Sequence, residues 1–260
     1  MSRLITGCIL IAIGVYVLGN GAFPLFSFLS IIGCLAFYEV RNMTEMKSIP
    51  LMIGNMILYQ VVMTLIYLNK LPTYFNGLFL LGCVLIFSIM LYEFGKKSLL
   101  FRQHIFFNSI KFFLYIFIGF SSIYMIRESL NGVLFIVLTF LSIWATDVFA
   151  YYGGKQFGVR PLSPTSPNKT KEGTAIGVLS AMALVLFVCV YYGHPLWASI
   201  IAGGIGIMAQ LGDLYESLIK RTYDVKDSSN LLPGHGGILD RADSSLFVAP
   251  MVYVIIVFLS

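Results

Sequence analysis

The chain has 260 residues, 58% of them hydrophobic and 11% charged, with a formal net charge of +5. A soluble domain carries roughly 25% charged residues, so this composition excludes a water-soluble globular enzyme; the excess apolar surface must face lipid. In a soluble protein the positive balance would point to nucleic acid, but here the placement of the cations matters more than their sum, and no nucleic-acid partner is expected.

Nine apolar segments approach the ~20 residues that a helix needs to cross hydrocarbon with its backbone hydrogen bonds satisfied internally. They cover residues 4–18, 23–40, 49–68, 78–94, 105–126, 130–152, 174–192, 196–211 and 244–259. The expected fold is therefore all-α, a polytopic transmembrane bundle of about nine helices. Residues 1–130 supply N-terminal helices and residues 131–260 a C-terminal catalytic region, within one integral membrane unit. The first segment follows Arg3 and is short enough to suggest a signal peptide. However, Gly19-Asn20-Gly21-Ala22 is a poor cleavage site and another apolar run follows at once, so a first membrane helix is expected. Cys8, Cys34, Cys83 and Cys189 all fall in apolar stretches without CxxC spacing and read as packing or lipid-facing residues.

The cations set the orientation. Loops after the second, fourth, sixth and eighth segments hold Arg41 and Lys47, then Lys96, Lys97 and Arg102, then Lys155, Arg160, Lys169 and Lys171, then Lys220, Arg221, Lys226 and Arg241. Arg3 joins them, the opposite loops hold only Lys70 and Arg127, and Lys111 lies inside the fifth segment. Cytoplasmic loops carry the excess of positive charge, so the N-terminus is expected in the cytoplasm and the C-terminus outside. Proline, glycine and polar residues concentrate in residues 153–173 and 216–243. Both stretches lie on the cytoplasmic side, the second continuing a motif region that opens at Asp213.

Asp147 and Asp213 stand near the ends of the sixth and eighth segments. An ionisable group at such depth faces a bundle interior or an aqueous cavity, unless it is a plain helix-end charge. If the eighth helix continues past the membrane, Asp213, Glu216, Ser217 and Lys220 share one face. That face suits a metal-bound polyphosphate, with carboxylates for Mg²⁺ and an ammonium for phosphate; a solvated i,i+4 ion pair is the alternative. Downstream, glycines precede Asp240 and Asp243, which fit either a ligand-binding turn or the cap of the ninth helix. His235, with no second histidine or cysteine at ligand spacing, reads as a hydrogen-bonded loop residue. The Pro161–Gly173 loop combines hydroxyls with lysines that can bind phosphate or lipid head groups. The glycines of residues 153–158 match neither the Walker A nor the dinucleotide fingerprint.

Taken together, Ser217-Leu218-Ile219-Lys220-Arg221, Lys226-Asp227, His235-Gly236-Gly237 and Asp240-Arg241-Ala242-Asp243 closely resemble the signature of the phosphatidate cytidylyltransferases, or CDP-diacylglycerol synthases. The resemblance extends to Asp147, to the loop with Ser166, Lys169 and Thr170, and to Gly212-Asp213-Leu214. It covers roughly the C-terminal half, while the first four or five helices match in hydropathy only. Ala242 stands where the pattern has a larger aliphatic or threonine, and Asn168 where a lysine is common, which would weaken phosphate binding.

The resemblance implies a membrane enzyme, often dimeric, that joins CTP to phosphatidic acid in a polar cavity open to cytoplasm and lipid. A homodimer in a bacterial inner membrane and the cofactor Mg²⁺, with a second cation left open, belong to the same expectation. By resemblance, Asp213, Asp240, Asp243 and Asp147 hold the metal. Lys169, Lys220, Arg221 and Lys226 neutralise phosphate, and Ser166, Thr170, Ser217, Asp227, His235, Gly236, Gly237 and Arg241 contact substrate. Two rivals stand beside this reading. One is a kinase that moves phosphate from CTP to a lipid alcohol. The other is a transporter with a coupling ion at Asp147 and Asp213, which the absence of matching halves disfavours. The metal assignment requires Asp213 and Asp240 to share a pocket.

Overall fold

A long apolar segment in hydrocarbon satisfies its own N–H and C=O groups most simply as a helix, and that is what these residues form. The computed structural model describes residues 2–44, 48–72, 74–96, 98–100 and 104–259, with the side chains of residues 2–6, 8, 10 and 11 outside the description. Among the expected cytoplasmic cations, Lys47, Lys97 and Arg102 and the side chain of Arg3 thus lie outside the described residues, as does the side chain of Cys8.

Among the described residues there are nine helices: α1 (Ser2–Gly19), α2 (Ala22–Met43), α3 (Ile49–Tyr67), α4 (Phe75–Lys96), α5 (Ile105–Glu128), α6 (Gly132–Phe157), α7 (Lys171–Tyr192), α8 (Ala198–Thr222) and α9 (Leu239–Leu259). Eight of these, α2 to α9, are long and apolar enough to cross a membrane. The all-α reading is correct, with one addition. Strands β1 (Pro161–Ser163) and β2 (Ser166–Thr170) pair antiparallel between α6 and α7, with Pro161 opposite Thr170 and Ser163 opposite Ser166.

Several helix boundaries move into what read as loop, three of them by five residues or more. α6 runs on to Phe157, α8 to Thr222, and α9 starts at Leu239. Hydropathy falls where charges begin, but a helix outlasts its apolar stretch when its end charges suit the dipole. Lys155, Lys220 and Arg221 sit in last turns and Asp240 in a first turn. The condition for a shared face on the eighth helix is therefore met.

α5 is the most enclosed helix, packed on α9, α2 and α6. Around it the aromatic rings of Phe37, Tyr59, Phe79, Phe113, Phe117 and Tyr253 form a chain of edge and stacked contacts. α3, α4 and α7 bury only a minority of their surface and present Leu81, Val84, Phe187 and Val190 outward, as lipid-facing helices do. Between α6 and α7 the backbones come unusually close. A Cβ on Gly173 would stand 2.6 Å from the Ala150 carbonyl oxygen, and one on Gly177 2.5 Å from that of Thr146. Small residues at such a seam give van der Waals contact, which drives helix pairing where the solvent is itself apolar.

One ion pair is buried inside the bundle. Lys111 of α5 reaches Glu93 of α4 at 3.0 Å, and both side chains are almost fully enclosed. Glu93 also accepts from the Leu100 N–H and the Tyr215 hydroxyl, each at 2.6 Å. It thereby ties α4 and α5 to α8. Removing one partner of such a pair strands a buried charge and costs about 3–5 kcal/mol, whereas removing both costs much less. Lys111→Met should accordingly lower the thermal midpoint of the detergent-solubilised protein sharply, and Lys111→Met with Glu93→Gln, which removes the stranded charge but keeps an acceptor oxygen for the Tyr215 hydroxyl or the Leu100 amide, should recover part of it.

Candidate active site

The ends of α6 and α8 and the start of α9 converge on a polar cavity of about 440 Å³. Its walls carry Asp147 from α6, Asp213 and Lys220 from α8, Asp227 from the following loop, and Asp240, Arg241 and Asp243 from α9. Asp213 and Asp240 thus share a pocket. Phe140, Ile143 and Trp144 of α6 form an apolar wall on the same cavity, with Trp144 more than half exposed. A larger cavity of about 650 Å³ lies at the opposite end of the bundle, between the α3–α4 and α5–α6 turns and the end of α9. Its lining is mainly apolar and holds one carboxylate, Glu128, which pairs with Arg127.

Lys220 is the central cation. It lies 2.7 Å from Asp240 and 3.4 Å from Glu216, linking the last turns of α8 to the first turn of α9. The i,i+4 pair anticipated from sequence exists, but it is enclosed rather than solvated. Asp240 is filled on both sides: Oδ1 accepts from Lys220, and Oδ2 accepts from the backbone N–H of Ser228 at 2.9 Å, the Ser228 hydroxyl at 3.0 Å and the Gly237 N–H at 2.8 Å. The cap and ligand readings of this aspartate therefore merge. It organises the loop and the cavity cation together.

Lys169, at the end of β2, pairs with Asp213 across the cavity, and the Ser217 hydroxyl points to the other Asp213 oxygen at 3.5 Å. Lys169 is placed by its hairpin, whose base is fixed when Glu172 accepts from the Val159 and Arg160 N–H groups and the Arg160 guanidinium, each at 3.1 Å. The Thr170 hydroxyl caps α7 by accepting from the Gly173 N–H at 3.2 Å, and Ser166 sits in the strand pair. Asp147 accepts from Gln210 at 3.1 Å.

In the turn before α9, Gly234 and Gly236 take positive φ values of 75° and 82°. The His235 carbonyl accepts from the Arg241 guanidinium at 2.9 Å. His235 Nδ1 is buried without a hydrogen-bond partner among the described residues. Arg221 and Lys226 stand exposed beside the cavity and do not line it.

Among the described residues, no three of His, Cys, Asp or Glu are gathered as a ready metal cage. Mg²⁺ needs no such cage, since it keeps waters and takes one or two carboxylates plus substrate phosphates. A second observation bears on the fit. Both carboxylate oxygens of Glu216 are buried without a hydrogen bond among the described residues, with the Lys220 ammonium as an ion-pair partner at 3.4 Å, and Glu216 faces Asp243. The acids there outnumber the one ammonium they share, that of Lys220, and the hard oxygen donors of Asp213 and Asp243 fit a Mg²⁺ ion beside them.

Two residues of the site's scaffold escaped the sequence reading, Glu39 and Glu93. Glu39 of α2 is fully buried and accepts hydrogen bonds from the 228–239 loop. The only signal was a lone carboxylate inside each apolar segment, which the first-helices-by-hydropathy reading passed over.

The sequence profile of the cytidylyltransferase family matches residues 1–259. Curated relatives named phosphatidate cytidylyltransferase include one from Helicobacter pylori strain J99, 35% identical over 99% of this chain and 92% of the relative. Another, from Bacillus subtilis strain 168, is 33% identical over 99% of this chain and 98% of the relative. A third, from a Synechocystis strain, is 46% identical over 50% of this chain and 45% of its own length.

Gly237 is the position where the loop tolerates least. A Cβ there would collide with the Ser228 hydroxyl and lie 2.6 Å from Glu39 Oε1. Gly237→Ala should lower the thermal midpoint of the solubilised protein, while Gly54→Ala, which meets nothing within 4 Å, should leave it unchanged.

Proposed function

This chain belongs to the cytidylyltransferase family, and from that premise we propose that it transfers the cytidylyl group of CTP to phosphatidic acid, giving CDP-diacylglycerol and pyrophosphate. The observation that carries the reading is the mixed cavity, in which carboxylates from three helices and the Lys220 and Arg241 cations meet beside the apolar Phe140, Ile143 and Trp144 wall. A nucleoside triphosphate needs the first part of that lining and a diacyl lipid the second. The names of the relatives support the same substrates.

In the proposed reaction, a phosphate oxygen of the lipid attacks the α-phosphorus of CTP, a new P–O bond forms, and the bond to the β-phosphate oxygen breaks. The nucleophile is anionic at neutral pH, so the enzyme's work is to align two anions and offset their repulsion. Lys220, held by Asp240, presents a fixed ammonium to the cavity. Lys169 arrives from the hairpin, already paired with Asp213. Arg241 adds a guanidinium, and Arg221 and Lys226 raise the positive field at the mouth. Asp213 and Asp243 would hold Mg²⁺, with Asp147 beside them, and the ion would supply charge neutralisation on the nucleotide phosphates and the departing pyrophosphate. Asp240 serves that set through Lys220.

The described cations Arg41, Lys96, Lys155, Lys220 and Arg221 all close helices at one end, in last turns of α2, α4, α6 and α8. This supports a cytoplasmic site in a bacterial inner membrane. The kinase rival differs in product. With CTP labelled in the cytidine and both phosphatidic acid and a long-chain lipid alcohol in mixed micelles, label should enter lipid; label recovered only in CDP, with the alcohol phosphorylated, would establish the kinase instead.

Two further outcomes test the site. Asp213→Asn should lower turnover by at least about 10²-fold, as loss of a transition-state charge partner does, while protein still accumulates in the membrane. Chelation of divalent cations should abolish formation of the nucleotide-bearing lipid and added Mg²⁺ restore it. Full activity in chelator would remove Mg²⁺ from the proposal.

A further inference from the structure

We propose that Glu39 is a positioning residue of this active site, which acts by holding the 228–239 loop so that Asp240 and Lys220 stand correctly in the cavity. The inference rests on the cytidylyl-transfer reading for its effect on turnover, but not for the clamp itself. Glu39 lies in α2, nearly two hundred residues before the loop, and is fully buried. Its Oε1 accepts from the Ser229 hydroxyl at 2.6 Å and the Ile238 N–H at 2.7 Å. Its Oε2 accepts from the Leu239 N–H at 2.9 Å and the Ser228 hydroxyl at 3.2 Å. All four donors are neutral. The two amides belong to the start of α9, where unpaired N–H groups and the helix dipole favour an anion.

The geometry makes this more than a staple between helices. Three consecutive amides are divided between two carboxylates: Gly237 donates to Asp240, Ile238 and Leu239 to Glu39. The Ser228 hydroxyl stands between the same two groups, 3.0 Å from Asp240 and 3.2 Å from Glu39, with one proton to give. The loop cannot shift against Glu39 without moving Asp240, and Asp240 carries Lys220 on its other oxygen. A glutamine at position 39 keeps the shape but turns an N–H₂ toward the donors. One buried amide then loses its acceptor, and the loop relaxes away from the cavity cation.

The test uses the full-length protein in mixed micelles, with hydrogen exchange of residues 226–240 and steady-state kinetics measured on the same samples. Tyr59→Phe is the control, because it removes the hydrogen bond from the Tyr59 hydroxyl to the Leu29 carbonyl at 2.8 Å and so weakens α2–α3 packing without touching the loop's partners. Glu39→Gln should speed loop exchange and lower kcat, each by about tenfold, with KM for CTP within about threefold. Ser228→Ala added to Glu39→Gln should cost less than the sum of the separate changes, because the two act through one hydroxyl. Tyr59→Phe should shift the thermal midpoint while leaving exchange of the loop and kcat unchanged.

Wild-type loop exchange in Glu39→Gln, or a kcat loss matched by Tyr59→Phe at equal loss of stability, would overturn the proposal. If Glu39→Gln fails to accumulate, Ser229→Ala replaces it, removing one donor to Glu39; unaltered exchange and kcat in that variant would overturn the proposal equally. A wild-type protein that makes no CDP-diacylglycerol would sink the functional reading, and loop exchange would still decide the clamp.

Discussion

Everything at the site hangs on the constraint that a charge placed among apolar helices must be met by donors or counter-charges, because no water is there to meet it. Lys220 and Asp240 satisfy it for each other, and by doing so they fasten the end of α8 to the start of α9. Asp240 then satisfies its second oxygen with the loop, and the loop satisfies Glu39. The same rule operates one layer deeper, where Glu93 collects Lys111, Tyr215 and the Leu100 amide. Helices that hydrophobicity alone would leave free to slide in lipid are thereby given one register. The cavity is the place where this mutual satisfaction is left incomplete, with Glu216 met by the shared Lys220 charge but by no hydrogen bond among the described residues, and Asp213 held by a lysine and a distant hydroxyl.

How much of this was legible in the chain follows from the range of each interaction. Hydropathy is local, so the helices were read in the right number and order. Their charged extensions fell outside the apolar windows, which end before helices do; that of α8 was entertained only as a condition and that of α6 not at all. Spacing on one helix is also local, and it correctly put Asp213, Glu216, Ser217 and Lys220 on one face. The motif signature further brought Asp213 and Asp240 to one pocket. Glu39 shows where such reading stops. Its partners are Ser228, Ser229, Ile238 and Leu239, which no local period connects to α2. The hairpin was hidden for another reason: its strands are three and five residues long and rich in proline, below any pattern that alternation could reveal.

The charge arrangement also bears on how the proposed site could take polyanions beside hydrocarbon. Carboxylates alone would repel the substrates, and cations alone would bind phosphate without releasing it. Asp147, Asp213, Asp227, Asp240 and Asp243 line the cavity against Lys220 and Arg241, so it keeps an excess of acid even with Lys169 paired to Asp213, an excess that an accompanying cation would offset. The apolar wall on α6 needs no such balance, since acyl chains bring no charge.

The glycine seam between α6 and α7 has a mechanical corollary. Where Gly173 and Gly177 meet the carbonyls of Ala150 and Thr146, there is no cushion of side chains to deform, so shear between the two helices is blocked and they travel as a single plank. The β1–β2 hairpin is tethered at both ends to that plank, by α6 on one side and α7 on the other. Lys169 is thus carried at a set height above Asp147, on the same rigid body. Any displacement of that pair of helices would carry the Lys169 ammonium and the Asp147 carboxylate together.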